Sequence, residues 1–326
     1  MRIISASETD TLFMYPDLVD VLRDGFRADV TAPVRHHHPV ARGDKAEAMM
    51  LLMPAWSNLA KDTNGYLGVK LVNVFPDNGE IGEPAVQASY VLMDGRTGAP
   101  LAMIDGQKLT VWRTAGASAL AADYLARKDA RRMVMVGAGA LAPYLIKAHA
   151  SVRSIDHVTI WNHKPERAQT LAKAMGENGL KGTISATDDL ETAVREADIV
   201  SCATLSTAPI VKGAWLKPGS HLDLVGAFTP KMRESDDEAV RRADVYVDTR
   251  DGALAEGGDI LQPLENGVIS RDDVIADLFD LTAGRHPGRQ DDDAITLFKS
   301  TGAALEDLAA AIELYKNSIK IEKFLG

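Results

Sequence analysis

The sequence predicts an α/β protein in two parts, a parallel sheet wrapped by helices and, ahead of it, a mixed block of helices and strands. Three observations carry this. In the middle of the chain, "RRMVMVGAGALAPYLIKAHA", "HVTIWNHKPERAQTLAKAM", "GTISATDDLETAVREADIVSCAT" and "HLDLVGA" alternate short apolar runs with helical spacing, the pattern of βαβ units. A glycine pair stands where the first of those strands would turn into a helix, in "VMVGAGALA". Before residue 115 the segments mix helix and strand without that regular alternation. At 326 residues the chain exceeds one ordinary domain, and two are expected.

Taken in order, "SASETDTLF" opens a helix, with Ser7 as the expected N-cap and acidic residues in the first turn. "DLVDVLRDGFRADV" has helical apolar spacing. "AMMLLMPAW", "GYLGVKLVNVF" and "AVQASYVLMD" read as strands, broken by turn-rich stretches such as "PDNGEIGEP". "DGRTGAP" reads as a hairpin-like turn into the strand "LAMIDG", and "LTVWRTAGASALAADYLA" as a long helix with small residues along one side. After the βαβ segments, "DVYVDTR" adds a strand. The tail "TLFKSTGAALEDLAAAIELYKNSIKIEKF" reads as one long helix that returns to the first domain.

Composition narrows the partners. Apolar residues make up 46% and charged residues 25%, ordinary values for a globular protein. A formal charge of −10 and a pI near 5.3 disfavour nucleic acid and anionic membranes, which need a basic face. The lone cysteine, Cys202, sits in the apolar run "ADIVSCATL" and reads as a small buried hydrophobe. One cysteine allows no intrachain disulfide, so a reducing, cytoplasmic setting is expected. No secretion signal and no run of about 18 apolar residues stands out.

The glycine motif indicates the cofactor. Gly137 permits a tight turn, Gly139 lets backbone approach a pyrophosphate, and Ala142 fills the small third position of G-x-G-x-x-G/A. The pyrophosphate would rest on the N-terminus of the following helix, against Gly137, Ala138, Gly139, Ala140 and Leu141. This predicts a dinucleotide-binding (Rossmann) domain. At the end of the next strand, where an acid would hold an NAD ribose, the chain has Asn162, His163 and Lys164, with Arg167 following. Cations there suit a 2′-phosphate, so NADP(H) is preferred and NAD(H) is the alternative. In open α/β sheets ligands bind past the carboxyl ends of strands. Ala203, Thr204 and Gly226 are therefore assigned to the cofactor, together with Thr114.

Three cations stand out in the first part: Arg35, Lys70 and Arg113. Lys70 lies inside an apolar strand pattern, where a charge is costly unless paired. Either neighbours pair it, or it faces a cleft that receives an anion. His36 and His38 would share one strand face, as polar strand positions or ligand-facing donors. Nothing beside them completes a metal site, and no metal is expected.

Together "KLTVWRTAGASALAADYLA", "VMVGAGALA", "VTIWNHKPERA", "GSHLDLVGAFTPKMRESDDEAV", "AEGGDI" and "TLFKSTGAALEDL" resemble the ornithine cyclodeaminase/mu-crystallin family. The resemblance spans about residues 30 to 318. It implies a homodimer whose chain has a substrate-binding and dimerisation domain, residues 1–115 completed by a helix at about 302–326, and a Rossmann domain at 116–301. It implies that Lys70 and Arg113, as the catalytic pair, hold a substrate carboxylate with Arg35. Gln87 would lie near the same pocket, and Ser300 would approach from the returning helix. The departure is Phe228, which stands in the substrate pocket where the cyclodeaminases keep an Asp. Phe228 can neither accept a proton nor pair with an ammonium, so ornithine cyclodeamination is not expected. "GAFTPKMRESDDEAV" and "APVRHHHP" are similar to the ketimine reductase branch. That likeness implies reduction of a small cyclic imino acid, Δ1-pyrroline-2-carboxylate to L-proline or Δ1-piperideine-2-carboxylate to L-pipecolate. The alternatives are an alanine dehydrogenase-like activity, ornithine cyclodeaminase activity and a non-enzymatic NADPH-dependent binding protein of the mu-crystallin type.

Overall fold

The computed structural model describes residues 1–62, 64–177 and 182–325. The chain forms two compact units, residues 1–114 with the C-terminal segment from Ala303, and residues 115–302.

The first unit opens with strand Arg2–Ile4 (β1) and helices Ala6–Leu12 (α1) and Tyr15–Arg27 (α2). Strands Val30–Thr31 (β2), His36–Val40 (β3), Ala48–Ser57 (β4), Tyr66–Val74 (β5), Val86–Asp94 (β6) and Pro100–Asp105 (β7) follow. The sheet order is β1-β7-β6-β5-β4-β2, with β3 also paired on β4. All pairs are antiparallel except β1 with β7. The cap of α1 differs from the expected one. Ser5, not Ser7, is the N-cap, because Ser5 has Glu8 three residues on and the two close a reciprocal capping box.

The central strands alternate as the pleat requires, with Gly68, Lys70 and Val72 of β5 buried. Gly68 is needed there. Its Cβ would come 2.0 Å from the Tyr90 hydroxyl, whose ring crosses the strand. The C-terminal helix packs on β4, β5 and α2, so this face of the sheet is buried.

Helix Gly106–Leu125 (α3) carries the chain into the second unit. There, in chain order, come Arg132–Val136 (β8), Ala142–Val152 (α4), His157–Trp161 (β9), Pro165–Glu177 (α5), Thr183–Thr187 (β10), Leu190–Glu196 (α6), Ile199–Cys202 (β11) and His221–Leu224 (β12). They are followed by Asp237–Arg242 (α7), Ala243–Val247 (β13), Arg250–Glu256 (α8), Gly258–Glu265 (α9), Val274–Asp277 (β14), Leu278–Thr282 (α10) and Ile295–Lys299 (β15). The sheet order β10-β9-β8-β11-β12-β15-β13-β14 is parallel throughout. The parallel sheet read from the sequence is therefore present. Its order reverses between β8 and β11, where such sheets open their ligand crevice. Val134, Val136, Val200, Cys202, Leu222, Leu224 and Leu297 fill its core. Burial pushes the Cys202 thiol well up, which fits a small hydrophobe rather than a nucleophile.

The tail departs from the expectation. "TLFK" is not helix but most of β15, a fully buried strand between β12 and β13. The final helix (α11) begins only at Ala304 and runs to Leu325. Between them Asp248 accepts hydrogen bonds from the Thr301 and Gly302 N–H groups at 2.7 and 2.6 Å. Gly302 takes a φ of +81°, a turn that a helix could not pass through.

Candidate functional site

Each unit holds its own group of candidate site residues. In the first unit the pleat points Lys70 into the buried face, and α3 brings Arg113 to it. Both meet the first turns of α11. The Lys70 Nζ donates to Asp307 Oδ1 at 2.9 Å and lies 2.8 Å from Oδ2. The Arg113 Nε donates to Asp307 Oδ1 at 2.9 Å, and its Nη1 donates to Glu306 Oε2 at 2.8 Å. Lys70 is only 2% exposed and both carboxylates are fully buried. Asp307 therefore takes two cations at once, and Glu306 supports the second.

Burial, and next the charge of Arg113, pull the Lys70 ammonium down to about 8, against the pull of Asp307. Burial alone would also disfavour the Arg113 charge, but Asp307 and Glu306 outweigh it and raise that group. The half-buried Arg35 is close enough that its charge also lowers Lys70. Two carboxylates balance the charges of Lys70 and Arg113. The Arg113 Nη2 donates to no described residue, which leaves a guanidinium edge for a carboxylate. Tyr90, directly across from Lys70, is fully buried. Burial and the Asp307 charge hold its hydroxyl well above the ordinary range, so it stays protonated.

Gln87 does not join this group. It pairs opposite Asn73, three residues from Lys70 along β5, so the pleat turns it to the other face. There its Oε1 accepts from Gln107 Nε2 at 3.2 Å. His36 and His38 do share a strand face, with ring centroids 6.3 Å apart, and are exposed. Among the described residues no cluster of His, Cys, Asp or Glu has the makings of a metal site. No helix among them is long and apolar enough to cross a membrane.

In the second unit, Gly137 has a φ of +109°, and a Cβ there would meet the Ala203 carbonyl at 2.7 Å. Only glycine fits. Its N–H donates to the Trp161 carbonyl at 2.8 Å. Gly139 faces open space, with nothing within 4 Å of an added Cβ. The N–H groups of Gly139, Ala140 and Leu141 have no acceptor among the described residues, and no side chain caps α4. Buried Ala142 lets α4 sit close on the sheet. An open loop of free N–H groups at a helix start is what a pyrophosphate needs, and these residues fit it.

Asn162, buried, accepts from the Ala138 N–H at 3.2 Å and donates to the Lys164 carbonyl at 3.1 Å. It braces the two loops to each other. His163, Lys164 and Arg167 are exposed around the end of β9. Ala203 and Thr204 follow β11, and Gly226 follows β12. A Cβ on Gly226 would strike the Thr204 carbonyl at 2.0 Å, so these two loops touch. Phe228 stands past them, 43% exposed, its N–H donating to the Gly226 carbonyl at 3.1 Å. Thr114 is half-buried on α3. Ser300 is not on the returning helix. It follows β15, buried, with its N–H bonded to the Leu224 carbonyl, because the tail forms a strand first.

Residues 2–321 match the ornithine cyclodeaminase/mu-crystallin family. A Δ1-pyrroline-2-carboxylate reductase of Paracoccus denitrificans is 36% identical over 311 residues, 95% of each chain. The Δ1-pyrroline-2-carboxylate reductase of Thermococcus litoralis, solved with NADH and L-proline, superposes with a TM-score of 0.91 at 33% identity, covering 99% of this chain and 98% of that one. An archaeal alanine dehydrogenase dimer with bound NAD superposes with a TM-score of 0.88 at 30% identity, covering 99% and 97%.

Removing Asp307 would leave Lys70 without its carboxylate partner and Arg113 with Glu306 alone. Asp307→Ala should destabilise the protein by roughly 3–5 kcal/mol. Adding Lys70→Met should recover part of that loss, so the double variant is less destabilised than the sum of the singles. Denaturant unfolding of the four proteins in the cycle measures this.

Proposed function

The chain belongs to the ornithine cyclodeaminase/mu-crystallin family, and on that premise we propose that it is a nicotinamide-dependent oxidoreductase that reduces a small cyclic ketimine, Δ1-pyrroline-2-carboxylate to L-proline. The observation that carries the reading is the buried pair Lys70 and Arg113, held by Asp307 and Glu306, with Arg35 close enough for its charge to act on Lys70. It fits a carboxylate attached to a compact ring.

The reduced nicotinamide supplies the hydride that C2 of the imine accepts. Lys70 and Arg113 hold the substrate carboxylate by charge-assisted hydrogen bonds, with Arg35 beside them. Fixing that carboxylate fixes the face of the ring that is reduced, so positioning supplies much of the rate. The iminium form is the better acceptor, and addition of hydride to it yields the amine with no further proton required. Phe228 offers no base. The chain is therefore suited to a ready-made imine and poorly equipped to abstract a proton from the second amine of ornithine. Lys164 and Arg167 favour a 2′-phosphate, so NADP(H) is preferred over NAD(H). The six-membered Δ1-piperideine-2-carboxylate is a second substrate under the same reading. Likeness to the archaeal alanine dehydrogenase supports a second activity, reductive amination of a 2-oxo acid, which also passes through an imine.

Loss of NADPH absorbance on adding Δ1-pyrroline-2-carboxylate tests the reading. Turnover to L-proline, with ornithine inert, is the expected result. Pyruvate with ammonium turning over while neither cyclic ketimine does would replace it with the alanine dehydrogenase reading. The charge of Lys70 is present below about pH 8 and lost as pH rises through it. The kcat/KM for the imine should therefore fall above pH 8. In Lys70→Met that limb should vanish, and activity at pH 7 should drop by about 10- to 100-fold, the worth of one charge-assisted hydrogen bond. In Lys164→Ala/Arg167→Ala the KM for NADPH should rise much more than that for NADH; equal rises would remove the 2′-phosphate assignment.

A further inference from the structure

The second unit holds a charged cluster that the proposed reaction does not use. Glu234, Asp259 and Lys299 are all fully buried. We propose that Glu234 is a positioning residue, whose carboxylate locks the loops after β11 and β12 into the one shape that receives the nicotinamide end of the cofactor. This rests on the reading of the glycine loop as a dinucleotide site.

The geometry is specific. Glu234 Oε1 accepts from the Thr204 N–H at 2.6 Å and from the Thr204 hydroxyl at 2.8 Å. Its Oε2 accepts from the Gly226 N–H at 2.7 Å. One carboxylate thus ties the second residue past β11 to the second residue past β12. The β11 loop in turn lies against the glycine loop, with Ala203 at Gly137. Glu234 is itself held from both sides. Its N–H donates to Asp259 Oδ1 at 2.8 Å, and its carbonyl accepts from the Ile210 and Val211 N–H groups, both at 2.9 Å. With its backbone fixed this firmly, Glu234 transmits the state of its carboxylate to the loops it binds.

That state is poised to change. The charged and titratable groups facing Glu234 are Asp259 on α9, Lys299 on β15 and the Cys202 thiol on β11. Lys299 donates to the Leu224 carbonyl at 3.0 Å and stands 3.4 Å from Asp259 Oδ2. Two carboxylates therefore share one ammonium away from water. Burial first, and the Asp259 charge next, push Glu234 up to about 7, with Lys299 and Thr204 opposing. Ionised, Glu234 accepts three hydrogen bonds. Protonated, it must donate one, and a proton on Oε2 would face the Gly226 N–H donor to donor. At least one loop contact is then weakened. The group is ionised above about pH 7 and protonated below, so the locked shape is favoured at higher pH and loosened as pH falls.

The test is equilibrium titration of the full-length protein with NADH and with NADPH, read by nucleotide fluorescence without any imine present, from pH 5.5 to 8.5. For the wild type both dissociation constants should rise as pH falls through about 7. A limb shared by NADH and NADPH excludes titration of the 2′-phosphate. In Glu234→Gln the amide would set a donor against Gly226. Binding should be weaker by about tenfold at pH 8, as for one lost hydrogen bond to a charged group, and flat with pH. Thr204→Val, a smaller change, removes one bond to the ionised form and should move the limb to higher pH. A Glu234→Gln protein that keeps the wild-type limb, or a Thr204→Val limb that does not move, overturns the proposal. So does a Glu234→Gln protein that binds normally at pH 8. Failure of the wild type to bind either nucleotide at any pH overturns the dinucleotide reading and the proposal with it. Binding of nucleotide without reduction of any imine leaves this proposal standing and sinks the substrate reading instead.

Discussion

The first unit is organised around a single electrostatic constraint, two cations buried in an apolar face. Lys70 and Arg113 could not sit there alone, since an unpaired buried charge costs several kcal/mol. Asp307 and Glu306 meet that cost, and both lie on α11, at the far end of the chain. The Lys70–Asp307 bond joins residues 237 apart. It requires the C-terminal helix to come back to the unit that began the chain, which explains why that unit is discontinuous in sequence. Such an arrangement adds little stability over a hydrophobic cluster of equal volume. What it adds is a rigid pair of cations in defined geometry, the property that carboxylate recognition requires.

The second unit meets a different requirement with backbone rather than charge. Gly137, Gly139 and Ala142 leave an open helix start with unused N–H groups, suited to the negative pyrophosphate. The loops after β11 and β12 complete that edge, joined by the Glu234 carboxylate. Under the proposed function each unit meets one kind of anion. The chemistry proposed needs no catalytic base, because the hydride comes from the cofactor and the iminium is already electrophilic.

Much of this was legible in the sequence, for physical reasons that differ from residue to residue. The glycine loop could be read because three small residues at fixed spacing have few other uses at a strand–helix turn. Lys70 could be read because a lone cation in an apolar strand demands an explanation. Its partners could not. Asp307 and Glu306 look like ordinary acids in the first turn of a helix, and only the tertiary fold brings them to Lys70. The tail misled because "TLFK" is too short for periodicity to separate a buried strand from a helix, and the misplaced Ser300 followed from that. Ser5 was legible and passed over, since the S-x-x-E spacing to Glu8 starts there and not at Ser7. Gln87 shows the converse, a residue three positions from Tyr90 along β6 that the pleat turns away. Glu234 lay inside a quoted motif, but its role depends on two loops that only the parallel strand order brings together.

The central claim is that the cluster of Lys70, Arg113 and Arg35 recognises a carboxylate. Comparing the binding of L-proline and L-prolinamide to the protein saturated with oxidised cofactor tests it most directly, because the two differ in that group alone. Calorimetry should find L-proline binding tighter by at least about tenfold, the worth of one charge-assisted hydrogen bond, and the preference should shrink in Lys70→Met. Equal affinity for the two ligands in the wild type would contradict the account.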